Sequence, residues 1–182
     1  MSDQLLDVIG NWVESIGATI AAIGETKQVT GPMSVGLQIG SVGNAVQGIG
    51  NSLQAIANVE DDGAKTGNWI QAAGTAANSI AEYRMKDRLD MDILEEQHLE
   101  ILGDVLQSTG SMLASIERLG QNPKLVYGNL LQSIGAAIEG IGVYIAISSN
   151  SVAGQKIEMV GGWLQSFGTT YQAVGATREY LT

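Results

Sequence analysis

From Gly10 to Gly24 the chain reads GNWVESIGATIAAIG, with glycine at every seventh residue. The opening octamer recurs as GNAVQGIG from Gly43, GNWIQAAG from Gly67, GDVLQSTG from Gly103, GNLLQSIG from Gly128 and GGWLQSFG from Gly161. Extended by one heptad each, the six copies put glycine at Gly10, Gly17, Gly24, Gly43, Gly50, Gly67, Gly74, Gly103, Gly110, Gly128, Gly135, Gly142, Gly161, Gly168 and Gly175. The remaining small-residue slots hold Ala57, Ala81 and the exceptional Glu117. A period of seven is that of a helix packed in a bundle, and no strand has it.

With glycine at heptad position a, position d holds Val13, Ile20, Val46, Leu53, Ile70, Leu106, Leu131 or Leu164. Position g holds Ile16, Ile23, Ile49, Ile56, Ile80, Ile116, Ile134, Ile141 or Phe167, while b, e and f are mostly Asn, Gln, Glu, Ser and Ala. The expected reading is an a/d/g face turned into the bundle and a polar b/e/f face, Gln47 included, turned to water.

Successive octamers begin 33, 24, 36, 25 and 33 residues apart, so they pair into three hairpins at about 1–59, 60–120 and 121–182. The expected fold is all-α: six antiparallel helices in one domain, an internal triplication close-packed through the heptad glycines. If Gly17 lies level with Gly50, Gly74 with Gly110 and Gly135 with Gly168, the turns fall midway, where helix-start residues stand: Asp62, Asp90 or Asp92, Asn122 before Pro123, and Asn150 or Ser151. A glycine inside a helix costs roughly 0.8–1 kcal/mol against alanine. Close backbone approach is the compensation the pattern suggests.

Composition narrows function. The chain has 182 residues, 45% of them hydrophobic, with 24 glycines, 2 prolines, no cysteine and a net charge of −10. Residues 60–120 carry 12 acids against 5 bases, which is −7 of that total. Nucleic-acid binding, which needs clustered Lys and Arg, is not expected. The acidic start and the lack of eighteen uninterrupted apolar residues lead us to expect a cytoplasmic protein without a signal peptide or transmembrane segment.

No enzyme activity is expected, since no nucleophile–base pair is legible. The single histidine, His98, forms a lone Glu-x-x-His element with Glu95, where carboxylate-bridged dimetal bundles need two. Glu60-Asp61-Asp62 and Asp90-Met91-Asp92 lack a calcium-loop pattern and read as helix caps. No metal or cofactor is expected. Trp12, Trp69 and Trp163, at position c, border the expected buried face; if exposed, they become anchors for a partner or a second copy.

The Ile-Gly heptads Ile9-Gly10, Ile16-Gly17 and Ile23-Gly24 resemble small repetitive helical proteins of unknown function found in bacilli. That resemblance carries no activity or site residues. The expected role is structural or protein-interacting, with self-association into a homo-oligomer. The alternative is a membrane-active, toxin-like or bacteriocin-like protein stored as a soluble bundle, suggested by the apolar helix 125–149 and opposed by Glu139 and the net acidity.

Overall fold

The computed structural model describes residues 2–58, 62–88, 92–120 and 122–182. They form six helices: α1 (Asp3–Thr30), α2 (Met33–Ala57), α3 (Asp62–Met85), α4 (Leu94–Glu117), α5 (Pro123–Ser148) and α6 (Ser151–Leu181). The starts follow local chemistry. Asn122 accepts from the Lys124 amide with Pro123 opening α5, Asn150 accepts from Ala153, and Asp92 accepts from Leu94. Asp62 is the first residue of α3; Glu60, Asp61, Asp90 and Met91 lie outside the described residues.

Each helix packs on its predecessor and its successor, and α6 returns to α1; among the described residues no other pair of helices packs. The molecule is a closed ring of six helices around a central axis. Within a hairpin the backbones nearly touch. A Cβ added at Gly17 would lie 2.2 Å from the Gln47 nitrogen, and one at Gly74 or Gly110 would lie 2.5 Å from the carbonyl oxygen of Gly103 or Gly67. Gly10 faces Gly50 and Gln54, Gly17 faces Gly43 and Gln47, and Gly24 faces Gly36 and Gly40, so partner numbers fall as own numbers rise. The register differs from the level pairings expected: Gly17 meets Gly43 and Gln47, Gly74 meets Gly103 and Gln107, and Gly135 meets Gly161 and Gln165, in place of Gly50, Gly110 and Gly168. Gly10, Gly17 and Gly24 each abut a carbonyl and the amide four residues on, because a knob-free backbone nests between two partner residues.

The seams between hairpins use position f. Ser41 and Ser79 exchange hydroxyl-to-carbonyl bonds of 2.9 Å between α2 and α3, Ser133 donates to the Ser108 carbonyl across α4 and α5, and Ser15 and Thr19 meet Thr170 and Ser166 across α1 and α6. Every helix therefore carries two small-residue stripes, a and f, about 140° apart at roughly 100° per residue. The residues between those stripes, b and e, face the axis. Those beyond them, c, d and g, face outward.

This reverses the expected faces. Position g is exposed at Ile16, Ile23, Ile49, Ile56, Ile80, Ile116, Ile134, Ile141 and Phe167, and position d is half-buried. The buried residues include Asn11, Glu14, Gln47, Gln54, Asn68, Gln71, Gln107, Gln132, Gln165 and Gln172, with Gln47 only 3% exposed. The physical reason is that a and f each bind a different neighbour, so a is not the centre of a single contact stripe. Among the buried apolar residues of the described chain, only Leu37, Met85, Leu125 and Val143 are larger than alanine.

Candidate functional site: a polar interior with an acidic chamber

Two layers of glutamines cross the axis. Gln47, Gln107 and Gln165 occupy the fifth place of the octamers on α2, α4 and α6, and the Gln47 amide group donates to both partners at 3.4 Å. One heptad away, Gln172 donates to Gln54 at 3.2 Å, Gln132 donates to Gln172, and Gln54 donates to Glu14 at 2.6 Å. A primary amide both donates and accepts, so repeating it around a ring satisfies buried polar groups without charge.

On one side of the first layer, toward the connections α1–α2, α3–α4 and α5–α6, lies a chamber lined by Glu25, Asn44, Asn78, Glu82, Glu100, Asp104, Glu139, Val143 and Glu158. All six helices contribute. Two lumen-facing glycines make room for carboxylates from the next helix. A Cβ at Gly40 would collide with the Glu82 carboxylate, and one at Gly162 with that of Glu25. Asn44 donates to Glu82 at 2.8 Å, Asn78 to Asp104 at 2.6 Å and Gln165 to Glu139. No Lys, Arg or His among the described residues lines this chamber. At the opposite end a cavity of about 180 Å³ is bounded by residues including Asp7, Asn58, Arg118 and Glu179.

The ring was not anticipated from sequence, nor was this chamber, although its residues stood in the repeat. The signal was the pair of small stripes flanking b and e. Of the residues singled out from sequence, the fifteen glycines lie on buried positions of the helices. Trp12, Trp69 and Trp163, expected at a core edge, are 39%, 45% and 45% exposed, because position c lies on the outer arc. Glu95 and His98 are exposed on the first turns of α4, and among the described residues no three His, Asp or Glu side chains are placed to hold a metal ion.

Residues 5–173 match the model of a family of unknown function, DUF6944. The chain belongs to that family. No curated protein and no solved structure matches it.

The outer surface has its own chemistry. No charged side chain is exposed between residues 9 and 26 of α1, anywhere in α2, or in residues 67–83, 99–116, 125–148 and 157–177. Exposed charges stand near the helix ends: Asp3, Asp62, Arg84, Asp87, Glu95, Glu117, Lys156, Arg178 and Glu179. Hydroxyls on this surface are tied back to their own helix, as when Thr26 donates to the Ala22 carbonyl and Thr177 to that of Ala173, both at 2.8 Å. The indoles of Trp12 and Trp163 donate to those same hydroxyls, Thr177 and Thr26, at 2.9 Å. By length and composition, α1 and α5 are apolar enough to cross a membrane.

Proposed function

We propose that this DUF6944 protein works as a membrane-embedded helical ring that holds a polar, acidic interior inside the bilayer. The observation that carries the reading is the uncharged outer belt. At ~1.5 Å per residue its stretches measure roughly 25–38 Å, against a hydrocarbon thickness of about 30 Å. Exposed Tyr83 and Tyr144 stand toward one end of this belt and Tyr127 and Tyr180 toward the other, where amphipathic rings suit a membrane–water boundary. Small-residue seams and hydroxyls bonded to their own helix are how helices associate where no water satisfies the backbone. In water the same ring would hide glutamines and carboxylates while exposing isoleucines, the reverse of what the hydrophobic effect rewards.

The test is extraction. In membranes from cells making the full chain, washed with alkaline carbonate, the protein should stay in the pellet and require detergent. Reconstituted with lipids brominated on their acyl chains, its tryptophan emission should be quenched. Release into the wash as a water-soluble particle would overturn the reading.

A second reading is a water-soluble structural protein whose apolar surface is covered by copies of itself. The net charge of −10 and the lower hydropathy of α2, α3, α4 and α6 favour it. A detergent-free oligomer of defined size would support it in place of the first.

A further inference from the structure

We propose that the acidic chamber is a proton-binding site, in which Glu25, Glu82, Glu100, Asp104, Glu139 and Glu158 hold their compensating charge as protons shared between carboxyl groups. Every helix bears on it: Glu25 from α1, Asn44 from α2, Asn78 and Glu82 from α3, Glu100 and Asp104 from α4, Glu139 and Val143 from α5, and Glu158 from α6. The titratable groups are all acids. Six negative charges gathered in a poorly solvated interior without a basic partner are untenable, so positive charge must enter with them.

The unpaired atoms say which kind. Asn78 spends its amide group on Asp104, and its own oxygen, on a residue 4% exposed, has no partner. The second carboxylate oxygen of Asp104, 2% exposed, and one oxygen of Glu25 are likewise unpartnered. All three are acceptors. A proton on a carboxyl group turns one acceptor into a donor, which is what this set lacks. A metal ion would instead need several oxygens converging at about 2.0–2.6 Å. No three carboxylates among the described residues are so arranged. The free space is about 10 Å³, room for a single water.

Glu25 and Glu100 keep partial exposure while Glu82, Asp104, Glu139 and Glu158 are buried. Glu25 and Glu100 thus mark the side of the chamber nearer the surface, and the Gln47–Gln107–Gln165 layer closes the other side. The site stands on the ring's interior alone, so it and the membrane reading can fail separately.

Infrared difference spectroscopy of the full chain, in whichever medium keeps it folded, tests the proposal. At about pH 7 ordinary carboxyls, with pKa values near 4, are ionised. The wild type should nevertheless show the carbonyl band of protonated carboxyls, and Asp104→Asn with Glu139→Gln should lose part of it. Exposed Glu95→Gln should leave it unchanged. A wild type without the band, or a band untouched by both interior substitutions, would overturn the proposal. A band present in choline chloride but abolished by sodium chloride at the same pH would also overturn it, in favour of a metal cation. Should those variants fail to fold, Glu25→Gln and Glu100→Gln, at the half-buried members of the cluster, take their place, and a band untouched by either would overturn the proposal.

Discussion

At Gly17 a methyl group would sit 2.2 Å from the backbone nitrogen of Gln47 and 2.8 Å from the carbonyl oxygen of Gly43. Neither atom can swing away, because both belong to a helix backbone. Helix propensity favours Gly→Ala by up to roughly 1 kcal/mol, while overpacking typically costs about 1–3 kcal/mol. Here the second term wins, so Gly17→Ala should melt lower than the parent and Gly17→Leu lower still. Gly140 supplies the control, since its added Cβ would meet only the Asp104 side chain, nearest at 3.3 Å. Gly140→Ala should melt within about 1 kcal/mol of the parent. Gln47, expected on the water-facing side, lies inside the ring. Its buried amide donates to both Gln107 and Gln165, and Gln47→Leu leaves those two oxygens short of a donor, a loss of about 1–3 kcal/mol. Thermal melts of the four variants in one medium check the ordering; a Gly17→Leu protein as stable as the parent would mean that the α1–α2 seam is looser than 2.2 Å implies.

At the scale of elements, the six helices were legible in sequence, while the direction of their faces and the closure of α6 on α1 were not. Glycine every seventh residue, Asn122 before Pro123 and the cap at Asn150 marked the helices and the starts of α5 and α6. The inversion arose because hydrophobic periodicity reports that a helix has two unlike faces without reporting which solvent each meets. Position f held the missing information: Ser15, Ser41, Ala55, Ala72, Ser79, Ser108, Ser133, Ser166 and Ala173 form a second small stripe, and two such stripes require two close neighbours. Once both neighbours are fixed, the narrow arc holding Glu14, Gln47 and Gln107 can only face the axis. The acids of the chamber stayed hidden for a different reason. Glu25, Asp104 and Glu139 lie far apart in the chain and meet only because α6 closes on α1, which no local pattern reports. The second stripe has a testable consequence at the α2–α3 seam. Ser79→Ala removes the bond its hydroxyl donates to the Ser41 carbonyl, while the Ser41 hydroxyl keeps the backbone carbonyl of residue 79, and the loss should cost about 0.5–1.5 kcal/mol. Ser79→Val keeps the helix apolar but adds volume to the seam and should destabilise more, by about 1–3 kcal/mol. If valine instead raises the melting temperature above that of alanine, the α2–α3 contact is not a close-packed seam.

At the scale of the whole molecule, the outward residues decide which solvent the ring was built for, and Ile49 and Ile134 are suited to the question. Both occupy position g, 57% and 43% exposed, within uncharged stretches of α2 and α5. Neither lies on the a or f stripe, so a longer side chain there can extend outward without parting two helices. In water, replacing an exposed isoleucine by lysine should change stability by no more than about 0.5 kcal/mol, and it should improve solubility by breaking an apolar patch. In a bilayer the same charge is expensive, about 2.5–3.5 kcal/mol near the middle of a helix on insertion scales. The two settings thus make opposite predictions for one substitution. Ile49→Lys and Ile134→Lys should each lower the fraction of protein recovered in carbonate-washed membranes, and the double variant should lower it further. Lys65, already present near the start of α3, shows where a cation is accommodated, so Thr66→Lys at that end should leave recovery almost unchanged. The contrast between belt and end is the decisive quantity, because a general loss of expression would reduce all variants alike. If the belt lysines instead increase the yield of soluble, monodisperse protein, the isoleucines face a protein partner or water, and the bilayer is not the medium in which this ring lives.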